Sequence, residues 1–308
     1  MIQEPLPTLR QLSFLTAIAD ELHFGRAAEK CGITQSALSN GLKELEDILQ
    51  VRLVERTRRK VLMTPLGLEI VERARRLIAD ATAIGELAAS KAAPMTETVR
   101  LGAIPTVGPF VLPHLLPRLK TEYPDLKLYL REDLTQKLVD RLLAGQLDLV
   151  LIALPFEIGD LSVMSLFEDG YDLATPKDHP LAKKALLSGR DLEGHPLLLL
   201  ETGHCLQRHA LSAFPNAVLG QDQSFEATSL STLLAMVEEG LGMTLVPRLA
   251  TVSGLVAGRE VALTPLKGAC PREVVLAWRP SSARADDYRR LGAVIRDTVA
   301  AMLGNEDR

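Results

Sequence analysis

The residue with the most chemistry to offer is Cys205, in the stretch LLLLETGHCLQRHAL. It follows an apolar run and Gly203, and the pattern predicts that it opens a helix. A thiol at a helix N-terminus, close in sequence to His204, Arg208 and His209, is drawn toward the nucleophilic thiolate. The same pattern also fits a buried, inert cysteine, which packs as a small hydrophobe. The spacing of His204, Cys205 and His209 does not match a structural zinc site, so no metal is expected. The sequence has no GxSxG, HExxH, P-loop or strand-borne GxGxxG pattern. Gly240 and Gly242, in EEGLGMTLVP, end a helix before a strand rather than hold a dinucleotide. No catalytic residue set and no cofactor are expected.

The elements that must position Cys205 read as an α/β domain. VRLGAI, LKLYLRE and LDLVLIA are β runs, separated by helical stretches at 110–122 and 136–144, which predicts a parallel sheet. A second such unit is expected from strands near 172–175, 197–200, 224–226 and 243–246, with helices after Cys205 and at 229–239. VVLAW at 274–278 and a helix at 285–302 return to the first unit. Two lobes of this kind place a ligand cleft between them.

A different chemistry lies upstream, in FGRAAEKCGITQSALSNGLKELEDIL at 24–49. A short helix ends at Gly32, where the turn needs a positive φ, and Thr34 is suited to cap a second helix. There Leu38, Leu42, Leu45 and Leu49 form one apolar stripe. The opposite face carries Gln35, Ser36, Ser39, Asn40 and Lys43, short polar side chains able to reach base edges in a major groove. An ordinary α-hairpin with a solvated face is the alternative. Gly41, inside the second helix, costs about 1 kcal/mol relative to Ala, and the sequence offers no reason for it.

A helix at 8–20 is expected to pack on this pair. After it, VRLVERTRRKVLMT reads as two β-prone runs around a basic tip, and Arg56, Arg58, Arg59 and Lys60 are placed as a wing on phosphates. Thr64 and Pro65 start a long helix to about residue 89. Within it Ile70, Ala74, Leu77, Ala81, Ile84 and Ala88 alternate at heptad spacing, which predicts a dimer seam, or else packing on the chain's own later domain. SKAAPMTET, without apolar periodicity, is a linker.

The formal net charge of −4 excludes nucleic-acid binding by bulk charge, so any DNA contact is local. The start of the chain has no signal-peptide pattern, and the longest apolar run, 149–156, is too short for a membrane span, so a cytoplasmic protein with no membrane partner is expected. Cys31, Cys205 and Cys270, without CxxC, make neither a disulfide framework nor a zinc finger.

Taken together, FGRAAEKCGITQSALSNGLKELE and the wing LVERTRRKVLMTPLG resemble the LysR-type transcriptional regulators. LGAIPTVGPFVLPHLLPRL, LTQKLVDRLLAGQLD, LETGHCLQRHAL and ATSLSTLLAMVEEGLGMTLVP are closer to the peroxide-sensing branch of that family. The resemblance covers nearly the full length. It implies a winged helix-turn-helix over 1–64, a dimerisation helix over 65–90, a hinge over 91–98 and a two-lobed, periplasmic-binding-protein-like α/β effector domain over 99–308. The lobes would divide into about 99–164 with 274–303, and about 165–273. Homodimers or homotetramers on double-stranded operator DNA, contact with RNA polymerase, and hydrogen peroxide or another small molecule as effector are also implied. Cys205 falls on the peroxidatic position, and Thr106, Thr135 and His204, with Gly203, Thr228 and Ser229, on pocket positions. Two departures stand out: the resolving-cysteine position is Phe214, and a carboxylate expected three residues after Cys205 is Arg208. Cys270 is the remaining cysteine of the effector half. A regulator that binds a small metabolite between the lobes is the second reading; a thiol peroxidase needs neither the helix-turn-helix nor the heptads, and the missing signal-peptide pattern disfavours a solute-binding protein.

Overall fold

The computed structural model describes residues 6–56, 60–89, 95–192, 195, 197–201, 227–267 and 271–304. The chain divides into two compact units near residue 91.

The first unit begins with α1 (Leu9–Glu21), entered through a capping box in which Thr8 and Gln11 satisfy each other's backbone donors. Next come α2 (Phe24–Lys30) and α3 (Gln35–Leu49). Gly32 lies between them with φ +65°, the left-handed conformation that glycine adopts without a Cβ clash. A two-stranded antiparallel hairpin follows, β1 (Val54–Arg56) on β2 (Val61–Met63), and then α4 (Pro65–Ala89). The Thr64 hydroxyl accepts from the Gly67 N–H at 2.9 Å, capping α4. Leu15, Ile18, Ala27, Leu38, Leu42, Leu45 and Leu53 make a dry core that Val71 and Ala74 of α4 complete. Gly41 now has its reason: a Cβ there would meet Cδ2 of Phe14 at 2.6 Å, so the α1 ring occupies the space a side chain would need.

The second unit holds two sheets. The first has strand order β4-β3-β5-β11-β6, where β3 is Thr98–Ala103, β4 Lys127–Glu132, β5 Leu149–Leu154, β6 Ser162–Asp169 and β11 Arg272–Trp278. The expected parallel order holds for β4, β3 and β5. β11 returns antiparallel between β5 and β6, which makes the sheet mixed. It is flanked by α5 (Gly108–Glu122), α6 (Thr135–Leu143) and a C-terminal helix (Ala285–Leu303).

The other sheet has β7 (Tyr171–Pro176), β8 (Leu187–Ser188), β9 (Thr244–Pro247) and β10 (Val261–Lys267), in the order β8-β10-β7-β9. Its central pairings are antiparallel, not the parallel repeat expected. The apolar run 197–200 forms only isolated bridges, Leu197 to Met243 and Leu200 to Ala227. The expected strand at 224–226 and helix after Cys205 lie outside the described residues. α7 (Leu230–Glu238) and α8 (Arg248–Val252) complete this region; the C-terminal helix is therefore α9.

The expected lobe boundary at 164 falls inside β6. That strand is paired with β11 as far as Asp169 opposite Arg272, so it belongs wholly to the first sheet. The entry to the unit is fastened at the start of α9. Met95, 2% exposed, donates its N–H to Asp287 at 3.3 Å, and Arg284 donates to the Thr98 carbonyl at 2.8 Å.

Candidate nucleic-acid interface and effector pocket

α3 presents two chemically distinct faces. Leu38, Gly41, Leu42 and Leu45 are buried, while Gln35, Ser36, Asn40 and Lys43 are exposed and Ser39 is half-buried. Thr34 takes the Ala37 N–H at 3.3 Å and lies 3.1 Å from the Ser36 hydroxyl, so the helix start is held by side chains on its polar side. The far end is tied to the hairpin: Glu46 Oε1 accepts from the N–H groups of Leu53 at 2.8 Å and Val54 at 3.2 Å. Two hydrogen bonds thus tie the end of the helix to the start of the hairpin. Ser39, Asn40, Lys43, Gln50 and Arg52 line a groove running between them. Arg52, two residues before β1, was not singled out from the sequence, although it lines this groove with Asn40 and Lys43. Lys60 is exposed at the start of the second hairpin strand. The side chain of Arg56, and all of Arg58 and Arg59, lie outside the described residues.

The expected dimer seam separates into two faces. Ala74 is 1% exposed within the unit's own core, and Ile70 packs against that core. Ala74 is therefore taken up by the core, where α1 crosses α4, while Ile70 stays partly exposed. Leu77 at 53% and Ile84 at 70% stand out from the helix, with half-buried Ala81 between them, as a stripe on the other side.

In the second unit two of the expected pocket positions, Thr106 and Thr135, fall at one end of the first sheet. Ala103 of β3 is paired with Glu132 of β4. Thr106 and Thr135 each lie three residues beyond that pair, Thr106 in the turn after β3 and Thr135 as the first residue of α6. Both are 1% exposed. Thr135 Oγ1 is buried with no hydrogen-bond partner among the described residues, which is costly unless something polar fills the place. Thr106 is gripped from behind by Arg272, which is fully buried and was not found from the sequence. Its Nη1 donates to Thr106 Oγ1 at 2.7 Å and its Nη2 to the Thr106 carbonyl at 2.9 Å. Because the Thr106 oxygen accepts from the guanidinium, its own proton is left to point elsewhere.

The guanidinium is neutralised by Asp169, equally buried, whose Oδ2 accepts from Nε at 3.1 Å and Nη2 at 2.7 Å. Nothing in the run around Arg272 marked it as buried; only the strand pairing brings it to Thr106. Thr228 is exposed, and Ser229 is occupied as the cap of α7, accepting from the Thr232 N–H at 3.2 Å. Gly203, His204, Cys205, Phe214 and Cys270 lie outside the described residues. Burial pushes the Cys31 thiol up, with Lys30 opposing, which disfavours its thiolate.

A polar helix joined to a wing, followed by a two-sheet α/β unit with buried threonines beyond its strand ends, is the arrangement of a DNA-binding regulator with a separate α/β domain. Residues 9–68 match the bacterial regulatory helix-turn-helix proteins of the lysR family, and residues 92–300 the LysR substrate binding domain. The chain belongs to the LysR family of transcriptional regulators.

It is 39% identical over 300 residues to the DNA-binding transcriptional dual regulator OxyR of Escherichia coli, covering 97% of each chain. It is 38% identical over 298 residues to the HTH-type transcriptional regulator EstR of Acinetobacter baylyi, covering 96% of this chain and 99% of that one. Among solved structures it resembles a full-length OxyR variant from Pseudomonas aeruginosa, with TM-score 0.80 and 37% identity over 95% of each chain. It also resembles a peroxide-bound OxyR mutant from Corynebacterium glutamicum, with TM-score 0.65 and 31% identity over 98% of this chain and 95% of that one. No helix among the described residues is long and apolar enough to cross a membrane.

Proposed function

We propose that the chain is a cytoplasmic, peroxide-responsive transcriptional regulator, not an enzyme, that binds operator DNA as a homodimer or homotetramer and acts with RNA polymerase. Cys205 is the sensor. Its thiolate attacks one oxygen of hydrogen peroxide, the O–O bond breaks, sulfenic acid forms, and the departing hydroxide takes up a proton as water. The sulfur is oxidised by two electrons and the peroxide reduced by two.

The observation that carries this reading is the pair of buried threonine hydroxyls at the ends of β3 and β4. Thr106 has a proton to give, and Thr135 has no partner among the described residues. A small polar ligand with two oxygens would satisfy both. Relatives named activators of hydrogen peroxide-inducible genes support the same stimulus.

With Phe214 in the resolving position, the favoured cycle uses one cysteine: a small thiol condenses with the sulfenic acid to a mixed disulfide and water, and a second small thiol attacks that disulfide, freeing Cys205 and leaving as the small-thiol disulfide. A bridge to Cys270 is the competing route, and the raised thiol of Cys31 speaks against that residue as a resolver. A second reading, in which this domain binds a small metabolite, remains because the EstR relative, as similar in sequence as several of the peroxide regulators, is named without reference to peroxide. The test is peroxide-dependent footprinting of the operator with Cys205→Ser and Cys270→Ser. The first is expected to abolish the response and the second to preserve it. Loss in both would establish the bridge, and retention in both would replace peroxide by a metabolite.

A further inference from the structure

Asp169 uses its two carboxylate oxygens on two different parts of the second unit. Oδ2 holds the Arg272 guanidinium, which grips Thr106 behind β3, while Oδ1 accepts the Leu249 N–H at 2.9 Å. Leu249 lies in the first turn of α8, directly after β9 of the other sheet, and the adjacent Arg248 N–H bonds the Gly170 carbonyl at 2.9 Å. Asp169, Arg272, Thr106 and Leu249 are all buried, so water does not compete for these bonds, and loss of one leaves a buried charge or donor unmet.

We infer that Asp169 is a positioning residue that couples the pocket to the second lobe: displacement of Thr106 passes through the guanidinium to the carboxylate and from there to α8. This goes beyond the peroxide reading in naming the route out of the pocket, and rests on that reading only for the natural stimulus. Tight packing favours such transmission, because buried groups of this kind exchange one set of partners for another rather than yield gradually.

The coupling is measurable without any stimulus. In the reduced full-length protein, amide hydrogen exchange of residues 248–252 reports the Leu249 bond directly. Thr106→Val removes the hydroxyl that accepts from Nη1 and is expected to accelerate that exchange at least about tenfold, the order of one hydrogen bond to a charged group. Thr106→Ser, which keeps the hydroxyl, is expected to leave it unchanged. In the paired background Asp169→Asn with Arg272→Met, which removes both buried charges together, Thr106→Val should produce no further acceleration. Unchanged exchange at α8 in Thr106→Val, or equal acceleration in the paired background, would overturn the coupling.

A last arm adds peroxide to the paired variant. Cys205 oxidation with no change at α8 or in the footprint supports the coupling, and a footprint that still shifts refutes it. Absence of Cys205 oxidation in the unmodified protein would sink the peroxide reading alone, because the stimulus-free arms stand by themselves.

Discussion

The ring of Phe14 and the backbone of Gly41 occupy each other's space: a methyl on Gly41 would sit 2.6 Å from Cδ2 and 2.8 Å from Cε2 of the ring. Helix propensity alone makes Gly41→Ala stabilising by about 1 kcal/mol. The contact reverses the sign. The ring would have to leave its rotamer within a closed core, costing about 1–3 kcal/mol. Thermal unfolding followed by circular dichroism is expected to show a lower Tm for Gly41→Ala, recovered when Phe14→Leu makes room. A Tm that rises in the single variant would mean α1 does not press on α3 there.

Direct reading and phosphate anchoring separate in the DNA-binding unit. Ser36→Ala is expected to relax sequence preference at one operator position. Arg59→Ala or Lys60→Ala should weaken all sequences about equally and lower the slope of log affinity against log salt by roughly one. Titrations at several salt concentrations decide it. An unchanged slope in both basic variants rules out the wing as a phosphate anchor.

Leu77 and Ile84 project from α4 away from the core that takes Ala74. An aspartate at an exposed position costs the isolated fold little, but a charge in an apolar seam between two helices is expensive. Leu77→Asp is therefore expected to shift sedimentation toward monomers while the far-ultraviolet spectrum stays the same. Oligomers of unchanged size would place the self-association surface elsewhere.

Burial, more than the nearby Arg248 can offset, pushes the Asp172 carboxyl above the ordinary carboxylate range. A carboxyl that binds its proton more tightly in the folded state contributes stability at low pH. That contribution is lost as pH rises from the unfolded value, about 3.9, through the raised one. Asp172→Asn removes the penalty. Its stability should match or exceed that of the unmodified protein at pH 7 and decline less between pH 4 and 7, as read from urea midpoints. A larger loss than in the unmodified protein would show that the ion pair with Arg248 outweighs desolvation.

The DNA-binding unit was largely legible in the sequence because its signals are local: Gly32 for the turn, Thr34 for the cap, and the stripe of Leu38, Leu42 and Leu45. The constraint on Gly41 was not, since its cause is a ring on another helix, and the heptad from Ile70 to Ile84 was read as one seam where α1 takes part of it. In the effector domain β3, β4 and β5 were found from their apolar runs. β6 has alternating, half-exposed residues at a sheet edge, and β10 carries Pro265 inside the strand, so both escaped. The pocket threonines came from family resemblance. Arg272 and Asp169 came from neither source, because the pairing that joins them spans most of the domain.

The placement of β11 also bears on how the protein is made. Val274 to Ala277 pair with Ala153 to Val150 on one side, and the same strand takes β6 on the other. Chains leave the ribosome N-terminus first, so β5 and β6 emerge with a strand-wide gap between them that only the last part of the message fills. Until then both present open edges of the kind that pair with other chains. A nascent chain stalled before residue 272 is thus an aggregation-prone species, and translation must reach α9 before the domain can shield itself. The first unit, whose core is complete once α4 has emerged, carries no such dependence.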